Sequence, residues 1–248
     1  MKVKVLASGS RGNSTYIEIK EKKILIDIGI SFSKLKGLLK DTIDIKDIDY
    51  LLITHSHKDH IGGLDVFLRN SNVTLLVPSE VYEDIKNNIS NNKYIILEDK
   101  NKIDDIEIDL IHLSHDVSCF GYIIDNRLVY ITDTGYINKK HLKLIQNKEM
   151  YIFESNHDEV MLMEGPYPYI LKQRVLSDKG HLSNSYAGSI LDSIIGDKTK
   201  IIVLAHISQN NNTYDLAFST VKNIIGDKSK NINLLVAYQD EPLDIIEV

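Results

Sequence analysis

The stretch Tyr50-Leu51-Leu52-Ile53-Thr54-His55-Ser56-His57-Lys58-Asp59-His60 decides the fold. Its first half is an apolar run that predicts a buried strand over 50–54. Its second half places three histidines and one aspartate within six positions. Imidazole suits zinc, iron or manganese, and a carboxylate adds negative charge beside the cation. Residues i and i+2 at a strand end point differently from i+4 and i+5 on a turn into a helix. Two groups of donors can therefore face two adjacent metals. The competing explanation is a polar loop in which the histidines are incidental.

Two metals need more ligands than one loop supplies. Three candidates each follow an expected strand: His115 in Leu113-Ser114-His115-Asp116, Asp133 in Ile131-Thr132-Asp133-Thr134-Gly135, and His206 in Leu204-Ala205-His206-Ile207-Ser208. Taken singly, each suits a structural role as well as ligation; taken with 55–60, ligation is the better account. Around these points, strands are expected over 2–7, 15–20 (alternating, hence half-buried), 24–28, 73–77, 150–153 and 201–205. A last strand is expected over 234–238. Two more are expected within 91–113, and 120–124 with 128–132 form a hairpin. Lys22-Lys23 marks a turn. Ser33 caps a short helix carrying Leu35, Leu38 and Leu39. Further helices are expected over 64–68, 187–195 and 215–225, and after Pro78-Ser79 with Val81, Ile85 and Ile89. Gly165-Pro166-Tyr167-Pro168-Tyr169 reads as a loop inside a helical region. No linker, repeat or low-complexity segment interrupts the alternation, so 1–248 is expected to be a single α/β domain.

Composition bounds the function classes. The chain has 248 residues, 43% hydrophobic and 26% charged, with a net charge of −6. That supports a sizeable core and excludes a surface that is basic throughout. The only cysteine is Cys119. An internal disulfide is therefore excluded, and a cytoplasmic location is expected. Lys4 and the polar run from Ser8 interrupt any secretory pattern, and no apolar stretch is long enough to span a bilayer. No membrane association is expected.

With these residues in view, the chain resembles the metallo-β-lactamase fold of metal-dependent hydrolases over essentially its whole length. The resemblance rests on His-x-His-x-Asp-His at 55–60, on His115, Asp133 and His206, and on Leu25-Ile26-Asp27-Ile28-Gly29. Within that superfamily it is most similar to the bacterial YycJ/WalJ group. Four blocks carry that likeness: Ser8-Gly9-Ser10-Arg11-Gly12-Asn13-Ser14, Glu154-Ser155-Asn156-His157-Asp158, Lys179-Gly180-His181-Leu182-Ser183-Asn184 and His206-Ile207-Ser208-Gln209-Asn210-Asn211. The resemblance implies a four-layer αβ/βα sandwich. It also implies a 5′-to-3′ exonuclease acting on DNA, ahead of RNA, and a genetic link to cell-wall regulation in some bacteria. Two divalent ions (Zn, Mn or Fe) are implied. His55, His57 and His115 would hold the first, Asp59, His60 and His206 the second, and Asp133 would bridge them. Such a centre keeps a net charge of about +1 after its carboxylates and a bridging hydroxide are counted, so it attracts phosphodiesters.

By the same resemblance, His181 is similar to a general acid with Glu154 behind it, and Asp59 belongs to the catalytic set. Histidine titrates near neutral pH, which suits proton donation to a leaving alkoxide. Capping of a helix start is the alternative for His181. A structural or supporting place is preferred for His157, and Asp27 is expected to orient a ligand. Ser8, Ser10 and Asn13, in a loop that lets backbone approach phosphate, and Ser208 and Asn210, past His206, are the candidate substrate contacts. Lys172, Arg174 and Lys179 either track a nucleic-acid backbone or are solvated charges. His112 points away from His115, and Cys119 is a buried small hydrophobe.

The separation of 73 positions from Asp133 to His206 leaves no room for a large cap insertion. His57 stands where flavin-coupled diiron relatives carry Glu, which argues against an oxidoreductase. Two other functions stay open. One is a phosphodiesterase acting on a small cyclic nucleotide or phosphate ester; the other is a regulatory protein whose metal site stabilises a binding surface. The oligomeric state is not legible.

Overall fold

Antiparallel strands give way to parallel ones twice along the chain. The computed structural model describes residues 1–89 and 93–248, so positions 91 and 92 of the expected strand region 91–113 lie outside the described residues. Two compact units emerge, Met1–Ile106 with Tyr238–Val248, and Glu107–Ala237.

In the first unit β1 (Lys2–Ala7), β2 (Ser14–Ile19) and β3 (Lys22–Ile26) form an antiparallel meander. β4 (Tyr50–Leu52), β5 (Thr74–Pro78) and β6 (Tyr94–Leu97) then add in parallel. The crossovers carry α1 (Phe32–Leu39), then α2 (Lys58–Ile61) with α3 (Leu64–Arg69), then α4 (Ser79–Ile85). β7 (Lys100–Ile103) leads on to the second unit.

There β8 (Ile106–Leu113), β9 (Cys119–Ile124) and β10 (Leu128–Ile131) are antiparallel, so the expected hairpin forms. β11 (Met150–Glu154), β12 (Ile201–Ala205) and β13 (Asn233–Val236) continue in parallel. The helices are α5 (Lys139–Ile145), α6 (Glu159–Glu164), α7 (Tyr169–Leu176), α8 (Asn184–Ile194) and α9 (Tyr214–Ile225). The chain returns to the first unit and ends in β14 (Ile246–Glu247), antiparallel to β1.

Burial is greatest in the middle of the second sheet. β9, β10, β11 and β12 are buried at every position, although β9 pairs antiparallel on both sides. Tyr151, Phe153, Ile202 and Leu204 pack with Leu191 and Ala187 of α8 and Val221 and Ala217 of α9. Each such large apolar side chain contributes on the order of 1.5–3 kcal/mol by leaving water.

Several expectations need correction. The turn between β2 and β3 lies at Lys20-Glu21, whose φ values of 48° and 64° make the paired left-handed geometry that matches strand twist. Lys22 and Lys23 are strand residues, with Lys23 opposite Glu18. Tyr16 is only 1% exposed, so β2 is not half-buried; its hydroxyl donates to Glu18, which lets the ring go inside. The cap of α1 is Ser31, which accepts from the Lys34 amide at 3.2 Å, because the helix starts earlier than Ser33. Among the described residues, 93–113 hold three strands rather than two, and α4 stops at Ile85, short of Ile89. β13 ends at Val236 and is not the last strand. The expected loop does separate two helices, α6 and α7, but it ends at Pro168, and Tyr169 is the first residue of α7.

One consequence positions the chemistry. Parallel strands present their carboxyl ends on one edge of a sheet, where side chains of the following turn converge. β3 delivers Asp27, β4 delivers Thr54 and His55, β10 delivers Asp133, β11 ends on Glu154, and β12 delivers His206.

Candidate metal centre

In the first unit, the ring centroid of His55 lies 4.8 Å from that of His57 and 4.0 Å from that of His60. His55 and His60 are fully buried. Asp27 stands behind them: His60 Nδ1 donates to Asp27 Oδ2 at 2.7 Å, and Asp27 accepts from Thr54 N at 2.8 Å and Thr54 Oγ1 at 2.9 Å. Asp27 thus orients the His60 ring, and with Nδ1 engaged, Nε2 is the nitrogen left to face a cation. Burial pushes the Asp27 carboxyl above its usual range, against the pull of His60 and Thr54. Asp59 Oδ2 lies 3.6 Å from His60 Nε2.

The Ser8-to-Ser14 loop sits against this cluster. Asn13 is 1% exposed; its Oδ1 accepts from Gly9 N at 2.7 Å and its Nδ2 lies 2.9 Å from His60 Nε2. Ser8 is buried and Ser10 exposed. The backbone closes the arrangement: Asn13 N donates to Asp59 O at 2.7 Å, and Gly29 N donates to Asn13 O at 2.9 Å. A Cβ on Gly29 would lie 1.6 Å from Asp59 O. Gly29→Ala is therefore expected to displace the histidine turn, lower Tm by several degrees or prevent folding, and lose metal in proportion. Thermal melts and metal analysis check this; an unchanged Tm would refute it.

In the second unit one donor atom each of Asp133, Glu154, His181 and His206 lies within 4.8 Å of the others. Glu154 is fully buried and organises the group. Its Oε1 accepts from His181 Nδ1 at 2.8 Å and from His206 Nδ1 at 3.0 Å. Its Oε2 accepts from Thr134 N at 2.9 Å and Leu182 N at 3.2 Å. Burial alone would raise its pKa, but the charge of His181 and the hydrogen bonds from His181 and His206 hold it down to about 2. His115 Nδ1 faces Gly180 O at 3.2 Å, and its ring centroid is 5.3 Å from that of His181. Burial pushes His115 below its ordinary value, against Asp133.

Backbone strain marks three of these positions. Asp27, Asp133 and His206 have φ of 59°, 59° and 55°, in the left-handed region, directly after their strands. Such conformations cost on the order of 1–3 kcal/mol and persist where surroundings fix them. No sequence signal announced them. A network that sequence reasoning also missed holds the His206 turn. Asn156 Nδ2 donates to His206 O at 2.8 Å. Asn212 Nδ2 donates to the carbonyls of Ser155 and Asn156 and to Asn184 Oδ1 at 2.9 Å.

The remaining candidates are placed as follows. Ser208 Oγ accepts from the Asn211 amide at 3.2 Å, and exposed Asn210 donates to the Tyr167 hydroxyl at 3.1 Å. Arg174 pairs with Asp116 and Lys172 donates to Met163 O, so neither is an unengaged cation. His112 packs against Phe120, and Cys119 is buried. His157 is 1% exposed, and burial pushes its pKa from 6.5 down to about 4. Between those values the unfolded chain binds a proton there that the folded one does not, so stability is lost as pH falls from 6.5 toward 4. The full loss is about 3 kcal/mol. His157→Gln is expected to flatten that part of the stability profile; denaturant melts at several pH values read it, and an unchanged slope would refute it.

The donor set fits divalent cations. Imidazoles backed by carboxylate or carbonyl at Nδ1, with carboxylates alongside, match the ligand and support pattern of zinc-type sites. No helix among the described residues is long and apolar enough to cross a membrane.

Comparison with known proteins gives a concordant picture. The metallo-beta-lactamase superfamily model matches residues 7–206. Exodeoxyribonuclease YycJ of Bacillus anthracis is 37% identical over 234 residues, 90% of this chain and 89% of the relative. Exodeoxyribonuclease WalJ of Streptococcus pneumoniae is 38% identical over 235 residues, 90% and 87% of the two chains. Among solved structures, the metallo-beta-lactamase fold protein YhfI from Bacillus subtilis superposes with a TM-score of 0.75 at 16% identity, over 98% of this chain and 99% of that one. That likeness speaks to fold.

Proposed function

Because the chain belongs to the metallo-β-lactamase superfamily, we propose that it is a divalent-metal-dependent phosphodiesterase that digests DNA from the 5′ end. The whole chain is taken as one functional domain, and a cytoplasmic setting agrees with its single, buried cysteine. The names of the two relatives, each covered over most of its length, support a DNA substrate.

His55, His57 and His115 would hold one cation and Asp59, His60 and His206 a second, with Asp133 between them. When bound, such ions supply Lewis acidity and lower the pKa of water toward ~7. The protein's own contribution is positional. Asp27 and Glu154 fix the Nδ1 sides of His60 and His206. Asn13, besides being a candidate substrate contact, holds the turn that carries Asp59 and His60. Ser8, Ser10, Ser208 and Asn210 belong to the loops that would meet the strand.

His181 supplies the proton. Its Nδ1 donates to Glu154, so Nε2 is the atom that carries a proton toward the leaving oxygen. The observation that supports the reading is this buried carboxylate, shared between His181 and His206.

Purified protein, with its metals identified, is to be assayed on 5′-labelled DNA and RNA and on cyclic nucleotides. Shortening of DNA from its 5′ end, with KM rising steeply with salt, supports the proposal. Salt-insensitive turnover of cyclic nucleotides alone would support the small-ester alternative instead.

A further inference from the structure

Beside His181 the second unit opens a recess of about 270 Å³, lined in part by Tyr136, His157, Glu159, Asp178 and Tyr186. That volume lies just below the usual range for small-molecule sites, which suits a single planar ring system. Three properties define what fits. Tyr136 and Tyr186 offer ring surface at 36% and 38% exposure. Both line the same recess, and the Tyr186 hydroxyl is pushed up by burial and by the charges of Tyr136 and Asp178. His157 is almost wholly buried, yet neither of its ring nitrogens has a hydrogen-bond partner among the described residues. A neutral imidazole offers one donor and one acceptor.

Charge settles the ligand class. Glu159 is held at the start of α8 by the hydroxyls of Ser183 and Ser185, each at 2.8 Å, and Asp178 adds a second carboxylate. A phosphate would meet two negative groups. A heterocycle with amino groups would meet acceptors at its edge and aromatic rings for its face.

We propose that this recess is a nucleobase subsite, which takes the base of the nucleoside bearing the leaving oxygen and prefers bases with exocyclic amino groups. The proposal rests on the reading that the chain cleaves DNA with His181 facing that oxygen. In digestion from the 5′ end with release of 5′-mononucleotides, the leaving 3′ oxygen belongs to the terminal nucleoside, so the terminal base is the one read. Guanine presents adjacent N–H groups that a carboxylate accepts in pairs, and thymine has no amino group.

The test uses single-stranded oligonucleotides that differ only in the 5′-terminal nucleoside: guanine, cytosine, thymine or abasic. The expected kcat/KM for the guanine end exceeds that for the abasic end by about tenfold, the scale of one aromatic stacking contact. Tyr186→Ala brings that ratio near one, whereas Tyr186→Phe keeps it. Asp178→Asn removes the advantage of guanine over thymine. Equal kcat/KM on guanine and abasic ends overturns the subsite. If no oligonucleotide is cut, the DNA reading fails by itself, and titration of guanosine into the protein as purified, followed by NMR, decides the subsite. Binding that Tyr186→Ala abolishes supports it; no binding overturns it.

Discussion

Asp133→Ala is expected to abolish hydrolysis and metal content together. Asp133 is 2% exposed and its carboxylate lies 3.4 Å from His206 Nδ1, in the cluster that Glu154 organises. In the proposed binuclear centre it is the group between the cations, so its loss exposes two positive charges to each other with one screen fewer. Activity should fall by roughly 10³-fold or more, and bound metal from two per chain to one or none. The backbone supplies a control. At φ 59° asparagine is tolerated far better than alanine, which adds about 1 kcal/mol of strain. Asp133→Asn should lose metal and activity like Asp133→Ala while keeping a higher Tm. Full metal occupancy in Asp133→Ala, measured by elemental analysis, would remove Asp133 from the ligand set.

The second expected result concerns His181. Substituting alanine leaves every proposed ligand in place, so the protein keeps its metals and its fold while kcat drops by roughly 10²–10⁴. On a nitrophenyl phosphodiester the deficit shrinks, because that leaving group departs without a proton. A ligand role would instead lower metal content and depress both substrates equally. A purely structural role would lower Tm with near-normal turnover. Glu154→Gln is expected to be more damaging than a simple positioning change. The carboxylate serves His181 and His206 together, and a neutral amide cannot accept from both rings and both backbone amides as strongly. Metal content and kcat on the two substrates separate these outcomes; an equal defect on both substrates at full metal content would refute proton donation.

Much of this site was visible in the residues themselves. Apolar runs ending in His55, Asp133, Glu154 and His206 are legible because a buried parallel strand is a near-continuous hydrophobic segment and its end is abrupt. Glu154 with His181 came from block resemblance, since 27 residues of chain separate two atoms that lie 2.8 Å apart. What stayed hidden depends on tertiary context. The left-handed backbone at Asp27 and His206 leaves no compositional trace, because neither residue is glycine. Burial of Tyr16 overrode an alternating pattern, since a phenol that finds its own acceptor packs like a hydrophobe. Ser31 and Ser33 are equally good caps by type, and only the helix start chooses between them. The bond between Asn156 and the carbonyl of His206 joins residues 50 apart, beyond any local signal.

The left-handed turns at Asp27, Asp133 and His206 bear on how such a chain would change over generations. Selection for chemistry holds non-glycine residues where the peptide resists them, and three such places lie beside buried charges. A duplicated copy freed from that selection would relieve backbone strain at each by accepting glycine or asparagine. Its decay would begin inside the centre rather than in the core, and the fold would outlive the activity. An inactive descendant should therefore be recognisable by relaxed residues at these three turns on an otherwise well-kept scaffold.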